Sequence, residues 1–248
     1  MDKPNKSHKP LVLAHRGFSG KFPENSRRAF MEAVAITGCG GFEVDVNLSA
    51  DNEPVIIHDA TLDRTTSGSG PIKAATFKEL RKLDVGSWMD PQFAGEQIMH
   101  LDELLELAIQ YNQVLNIELK TYPVIYPGIE KIVIDRICKA GASDRVFLSS
   151  FNHLSMKLCK EINPGIKAGL LYMQPFINAE EYAAGYALHP EHNLLALEPD
   201  LVSRAHSQGL AVHTWTANTD EAMRRCISSN VDSIITNYPD KLVEILQG

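Results

Sequence analysis

Short apolar runs of strand length alternate with longer amphipathic runs along almost the whole chain, and this rhythm narrows the possible folds more than any other feature. A strand followed by a helical crossover returns the next strand parallel to the first. Repeated βα units therefore imply a parallel sheet covered by helices. The strand candidates are LVLAH (11–15), FEVDVN (42–47), PVIIHD (54–59), VLNIELK (114–120), RVFLSS (145–150), IKAGLLY (166–172), NLLAL (193–197), LAVHTWT (210–216) and VDSIIT (231–236). That is one more than a barrel of eight requires. Helices are predicted over 26–37, 101–111, 128–140, 152–162, 199–208, 219–228 and 239–247, several opening on a Ser, Thr, Asn or Asp cap. At 248 residues the expected architecture is α/β, a TIM-like (β/α)8 barrel in a single domain spanning 1–248.

The rhythm breaks between about 49 and 100, where Gly, Ser and Pro accumulate and at most one short helix fits, near 76–83. This stretch reads as an insertion on a βα loop at the C-terminal face of the barrel, the face where substrates bind. The net charge of −7 leaves no basic footprint, so nucleic acid is not an expected partner. The polar N-terminus MDKPNKSHKP leads into the run LVLA, too short for a signal peptide or a membrane span, and a cytoplasmic location without stable membrane insertion is expected. Cys39, Cys138, Cys159 and Cys226 form no CxxC pair and read as reduced thiols.

Buried parallel strands normally read as continuous apolar runs, yet FEVDVN alternates: Phe42, Val44 and Val46 share one face, and Glu43, Asp45 and Asn47 the other. If the apolar row packs under helices, the polar row faces the barrel axis. Two carboxylates stay ionised there only if a cation or strong donors compensate their charge, and hard oxygen ligands at this spacing suit Mg²⁺ or Ca²⁺. An exposed edge strand with a solvated acidic face would show the same alternation. NIELK repeats the pattern, adding Glu118 as a third carboxylate with Asn116 and Lys120 on its face. Lys120 either holds a phosphate oxygen as a point charge or pairs with the acids. His15 and His58 each close a strand candidate, so both imidazoles are expected at the catalytic end, where two histidines can divide general acid and base work. Arg16 can grip a phosphodiester bidentately, or is an ordinary surface arginine.

The segments AHRG (14–17), PENS (23–26), EVDV (43–46), IHDATLDRTT (57–66), NIELK (116–120) and HTWTAN (213–218) resemble, in order and spacing, the successive motifs of the glycerophosphodiester phosphodiesterases of cytoplasmic bacterial type. The stretch at 49–100, with LDVGSW, is similar to that family's insertion. The resemblance implies a divalent metal (Mg²⁺, Ca²⁺ or Mn²⁺) held by Glu43, Asp45 and Glu118, with His15 and His58 as the acid–base pair. It also implies phosphate contacts from Arg16 and Lys120, support of the metal site by Asn25, and Trp215 lining the pocket. The implied reaction cleaves a small-molecule glycerophosphodiester to sn-glycerol 3-phosphate and an alcohol. Two departures from the family's pattern stand out: Met99 and His100 replace a common Pro-Thr pair, and His213, on Trp215's strand face, is read as structural. His8, His153, His189, His192 and His206 fall in predicted loops or helices and are read the same way.

Two other readings of the residues are a lyase or aldolase barrel using Lys120 as a Schiff-base amine, and a barrel that binds a glycerophosphodiester without cleaving it. The lyase needs neither a metal nor a second histidine, and the binder would not need every catalytic position filled. No extended apolar segment marks a membrane-docking surface, which points to water-soluble, deacylated diesters.

Overall fold

The computed structural model describes residues 9–248, so most of the polar N-terminal stretch, His8 included, lies outside the described residues. Eight parallel strands form the barrel: β1 (Leu11–His15), β2 (Cys39–Leu48), β5 (Val114–Leu119), β6 (Val146–Ser150), β7 (Lys167–Tyr172), β8 (Ala187–Pro190), β9 (His213–Thr214) and β10 (Ser233–Thr236). Their order is β8-β7-β6-β5-β2-β1-β10-β9, and the bridges Leu188↔Val212 and Glu191↔Trp215 join the two ends of that path. Strands β3 (Pro54–Ile56) and β4 (Met99–His100) are antiparallel additions outside the ring.

The outer helices are α1 (Arg27–Val34), α3 (Leu101–Gln110), α4 (Ile129–Ala140), α5 (His153–Ile162), α8 (Leu201–Ser207), α9 (Asp220–Ser228) and α10 (Pro239–Gln247), with short turns α2 (Phe77–Leu80), α6 (Ala179–Tyr182) and α7 (Leu194–Leu197). They bury the outward-facing apolar rows of the strands. Phe42, Val44 and Val46 of β2 have no exposed surface, nor have Leu115 and Ile117 of β5. Caps follow the sequence: Ser26 Oγ accepts the Ala29 N–H, and Thr219 Oγ1 accepts the Ala222 N–H. His100, one of the two departures, caps α3 through Nδ1 while its Nε2 donates to Glu53 Oε2 at 2.8 Å.

Two strand expectations fail. NLLAL is not a strand; Leu194–Leu197 forms α7, and the eighth strand is Ala187–Pro190 instead. A short apolar run fits helix or strand equally by periodicity, whereas ALHP carries a histidine and a proline and so hides its role. Its proline stands at the last strand position and its histidine points into the barrel over Gly169, where a Cβ would lie 2.1 Å from the ring. His189 is thus on a strand rather than in a loop. PVIIHD also departs from expectation: only Pro54–Ile56 is extended, and it runs antiparallel to β2. Together with the ring closure this removes the surplus strand. Residues 49–100 form the excursion between β2 and α3, and Val55, Ile57, Leu62, Ile72, Leu80, Val85 and Ile98 give it a small core of its own.

Inside the barrel, away from the acids, His213 stacks on Phe147 with centroids 4.7 Å apart, and His189 meets His213 edge-on at 4.9 Å. Burial holds His189 well below the ordinary histidine value of 6.5 and His213 down to about 4. The unfolded chain therefore takes up protons in that interval that the folded chain refuses. The stability this preserves is complete above about pH 6.5 and is lost as the pH falls toward 4, by at most about 1.4 kcal/mol per pH unit for each histidine. Denaturant unfolding at neutral and mildly acid pH is expected to show this loss in the natural chain and a smaller one in His189→Met; equal losses in the two would exclude His189 as a source.

Candidate active site

The turn after β1 is built to place Arg16 and Asn25 over β2. Arg16 takes a left-handed conformation (φ 56°), its N–H donates to Glu43 O at 2.7 Å, and Gly17 (φ 80°) passes so close to Ala29 that a Cβ would lie 2.8 Å away. Arg16 O then accepts the N–H of Asn25, and Asn25 Nδ2 donates to Asp45 Oδ2 at 3.1 Å. The motifs AHRG and PENS are thus two ends of one loop folded onto the acidic strand.

Parallel register brings the acids together, since Asp45 pairs with Glu118 and Glu43 with Asn116 across β2 and β5, while His15 pairs with Glu43 across β1 and β2. Glu43, Asp45 and Glu118 are 6%, 1% and 9% exposed, so the polar row lies inside the barrel and not on a solvated edge. Each offers a carboxylate oxygen within 4.8 Å of the others. Arg16 Nε lies 3.2 Å from Asp45 Oδ2, Lys120 Nζ 3.5 Å from Asp45 Oδ1 and 2.8 Å from Glu118 Oε1. Burial tends to raise all three carboxyls. Arg16 and Lys120 overcome it at Asp45, which is held low, while Glu43 is pushed well above the carboxylate range by burial and by its two acidic neighbours, and Glu118 is raised despite Lys120. Glu43 Oε2 and Asp45 Oδ1 are buried without a hydrogen-bond partner. Buried oxygens left unpaired in a cluster short of positive charge fit a divalent cation.

His58 reaches the same place by an unexpected path. It does not end a barrel strand; the antiparallel return of β3 carries it back to the level of Asp45, whose carbonyl accepts the Ile57 N–H at 3.0 Å. Asn47, the third residue of the polar row, secures that return by donating to Ile57 O at 2.7 Å. Both histidines are held through Nδ1: His15 by Asn237 Oδ1 at 2.5 Å, His58 by Asp59 Oδ1 at 2.6 Å. Among the described residues Nε2 of each ring makes no hydrogen bond and is chemically able to take up or give a proton. His15 Nε2 lies 3.6 Å from Glu43 Oε2, and burial followed by the Arg16 charge lowers this imidazole to about 4.

His15, Arg16, Glu43, His58, Glu118, Lys120 and Trp215 all line one pocket of about 110 Å³; Asp45 and Asn25 lie directly behind it in contact with Arg16, Lys120 and each other. Trp215 is held there by its Nε1 donating to His189 O at 2.8 Å. His213 does not line this pocket and bonds Ser233 Oγ at 2.7 Å. Several groups around the site carry no sequence signal that assigned them a part. Asn237 holds His15 from the far end of the chain. Glu24, Asp59 and Arg64 form a chain of ion pairs from Arg16 to His58, with Arg64 Nε 2.7 Å from Asp59 and its Nη2 2.8 Å from Glu24. The last three stand within PENS and IHDATLDRTT, so motif membership was the available clue.

Known proteins resemble this chain over nearly its whole length. The model of the Glycerophosphoryl diester phosphodiesterase family matches residues 15–241. A glycerophosphodiester phosphodiesterase of Caldanaerobacter subterraneus subsp. tengcongensis is 41% identical over 96% of this chain and 98% of its own, and one of Bacillus altitudinis is 35% identical over 94% and 97%. Among solved structures, an Oleispira antarctica phosphodiesterase in complex with the product sn-glycerol-3-phosphate superposes with a TM-score of 0.85 at 30% identity, covering 96% of this chain and 97% of that one. A glycerophosphodiester phosphodiesterase from Thermotoga maritima superposes with a TM-score of 0.78 at 28% identity, covering 96% and 99%. With its family model matched from the first histidine of the site almost to the C-terminus, the chain is an enzyme of the glycerophosphoryl diester phosphodiesterase family.

Proposed function

We propose that this enzyme, acting as one barrel unit over the whole chain, hydrolyses small glycerophosphodiesters to sn-glycerol 3-phosphate and an alcohol. In this reading Glu43, Asp45 and Glu118 hold a divalent cation, and His15 and His58 are the general acid–base pair. The observation that carries the reading is the convergence of two Nδ1-anchored histidines, three buried carboxylates and two cationic side chains on one small pocket. The bound cation, Mg²⁺, Ca²⁺ or Mn²⁺, would supply Lewis-acid stabilisation of phosphoryl oxygens and cancel the excess negative charge of the acids.

The chain's own residues do the rest. Arg16 and Lys120, which neutralise the acids, also line the pocket and present N–H groups to a phosphodiester, stabilising the charge that builds on its oxygens. One imidazole Nε2 takes a proton from the attacking hydroxyl and the other gives one to the departing alcohol oxygen, each ring kept in a single orientation by its Nδ1 partner. Asn25 fixes the Asp45 carboxylate, and Trp215 with Phe151 closes the apolar side of the pocket. Among the described residues no helix is long and apolar enough to cross a membrane.

Metal-stripped protein is expected to release no glycerol 3-phosphate from glycerophosphocholine and to regain activity on addition of Mg²⁺, Ca²⁺ or Mn²⁺. Glu43→Ala should regain none and should bind the ion more weakly by calorimetry; full activity in the stripped protein would refute the metal assignment. Replacing His15 or His58 by Ala should lower kcat by about 10²- to 10⁴-fold while leaving ion binding in place. Near-normal turnover in either variant would remove that histidine from the mechanism.

A further inference from the structure

Two side chains of the pocket, the Arg16 guanidinium and the His58 imidazole, come from different segments. Arg16 stands on the loop after β1, and His58 on the first turn of the excursion after β3. Near the pocket these two segments are joined through side chains that lie outside it. Glu24 Oε1 accepts from Arg16 Nη1 at 2.9 Å, and Asp59 Oδ1 lies 2.6 Å from His58 Nδ1. Both carboxylates then converge on Arg64.

Arg64 meets each carboxylate with a two-pronged contact. Its Nε and Nη2 donate to Asp59 Oδ2 and Oδ1 at 2.7 and 3.0 Å, and its Nη1 and Nη2 donate to Glu24 Oε2 and Oε1 at 2.9 and 2.8 Å. Four contacts from one rigid plane fix the two carboxylates relative to each other, which an ammonium on a flexible stem does not do. The hydrogen bonds from Arg64 are the largest influence on Asp59 and hold it down to about 2 against the cost of burial, so the anchor of His58 is an anion throughout the neutral range. Arg64 is not among the residues that line the catalytic pocket. Its side chain is 43% exposed, so no core depends on it for packing.

We propose that Arg64 is a positioning residue for the reaction: through Glu24 and Asp59 it sets the distance and angle between the Arg16 guanidinium and the His58 imidazole, coupling the grip on phosphate to proton transfer. The proposal rests on the phosphodiesterase reading. A misplacement of about 1 Å in such a span costs on the order of 10²-fold in rate. Loss of a partner that orients a site residue costs about 10- to 100-fold. A rim arginine could instead attract an anionic substrate by charge alone, an effect that any cation at position 64 would preserve. The surroundings argue against that part, because Glu24 and Asp59 together outweigh the single positive charge of Arg64 and leave little attraction for an anion.

The test compares Arg64→Ala and Arg64→Lys with the natural enzyme for choline release from glycerophosphocholine at saturating divalent ion. Both variants are expected to lose about 10- to 100-fold in kcat with little change in KM. Because position 64 is open to solvent, millimolar guanidinium should restore part of the kcat of Arg64→Ala and give no gain in the natural enzyme. In a Glu24→Gln/Asp59→Asn enzyme, which lacks the carboxylates that Arg64 grips, adding Arg64→Ala should cost less than about twofold more. Natural-level kcat in Arg64→Ala overturns the proposal, as does full activity in Arg64→Lys, a loss confined to KM, or an undiminished cost in the double variant. So does a loss that guanidinium leaves unrepaired and a lower unfolding temperature accompanies, the mark of a merely structural part. In all of these cases the natural enzyme still releases choline and the phosphodiesterase reading stands; no release by the natural enzyme overturns both.

Discussion

Charge compensation inside the barrel is the interaction on which the rest of the site depends. Three carboxylates almost out of contact with water would each cost several kcal/mol if left ionised and alone. Arg16 and Lys120 pair with Asp45 from two sides and keep it ionised, but two cations against three acids leave Glu43 driven toward its neutral form. The cluster is therefore a place where a further positive charge is stabilising, and among the described residues Arg16 and Lys120 are the arginine and lysine side chains that line the pocket. Removing either cation would leave buried charge uncompensated, so these side chains have a structural part apart from the chemistry proposed for them.

Around this centre a second set of contacts fixes geometry. Asn237 and Asp59 each hold a histidine by Nδ1, and the ion pairs of Glu24, Arg64 and Asp59 tie the loop after β1 to the excursion after β3. Arg16 closes the circuit between that chain and Asp45. The excursion at 49–100 is thus part of the site's construction: its first turn delivers His58, Asn47 clamps that turn, and its own apolar core keeps the delivery rigid.

Much of this was legible in the residues because the signals were local. Alternation in FEVDVN and NIELK separated inward acids from outward hydrophobics, and the parallel register then placed Asp45 against Glu118 as expected of adjacent strands. The edge-strand alternative for FEVDVN fell because helices cover its apolar row. Other features were not local. ALHP lacks the β-branched run that advertises a strand, and it becomes one only because β7 and the bridge to β9 supply partners on both sides. His58 was assigned to the site for the wrong reason, since period alone does not say that β3 turns back antiparallel. The exposed apolar side chains of Tyr122, Leu154 and Ile177 were invisible as a group because their placement depends on which loops the barrel brings side by side.

By itself the sequence determined the period of the elements, the parallel barrel that follows from it, and the residue types that the site would bring together, because periodicity and motif order are properties of the chain. Only the tertiary structure decided which nitrogen of each histidine is free, which acid carries the compensating cations and which is left to need one more, and where apolar surface collects at the rim. Those depend on distances between residues as far apart as His15 and Asn237, and a distance of that kind is set by ring closure rather than by spacing along the chain.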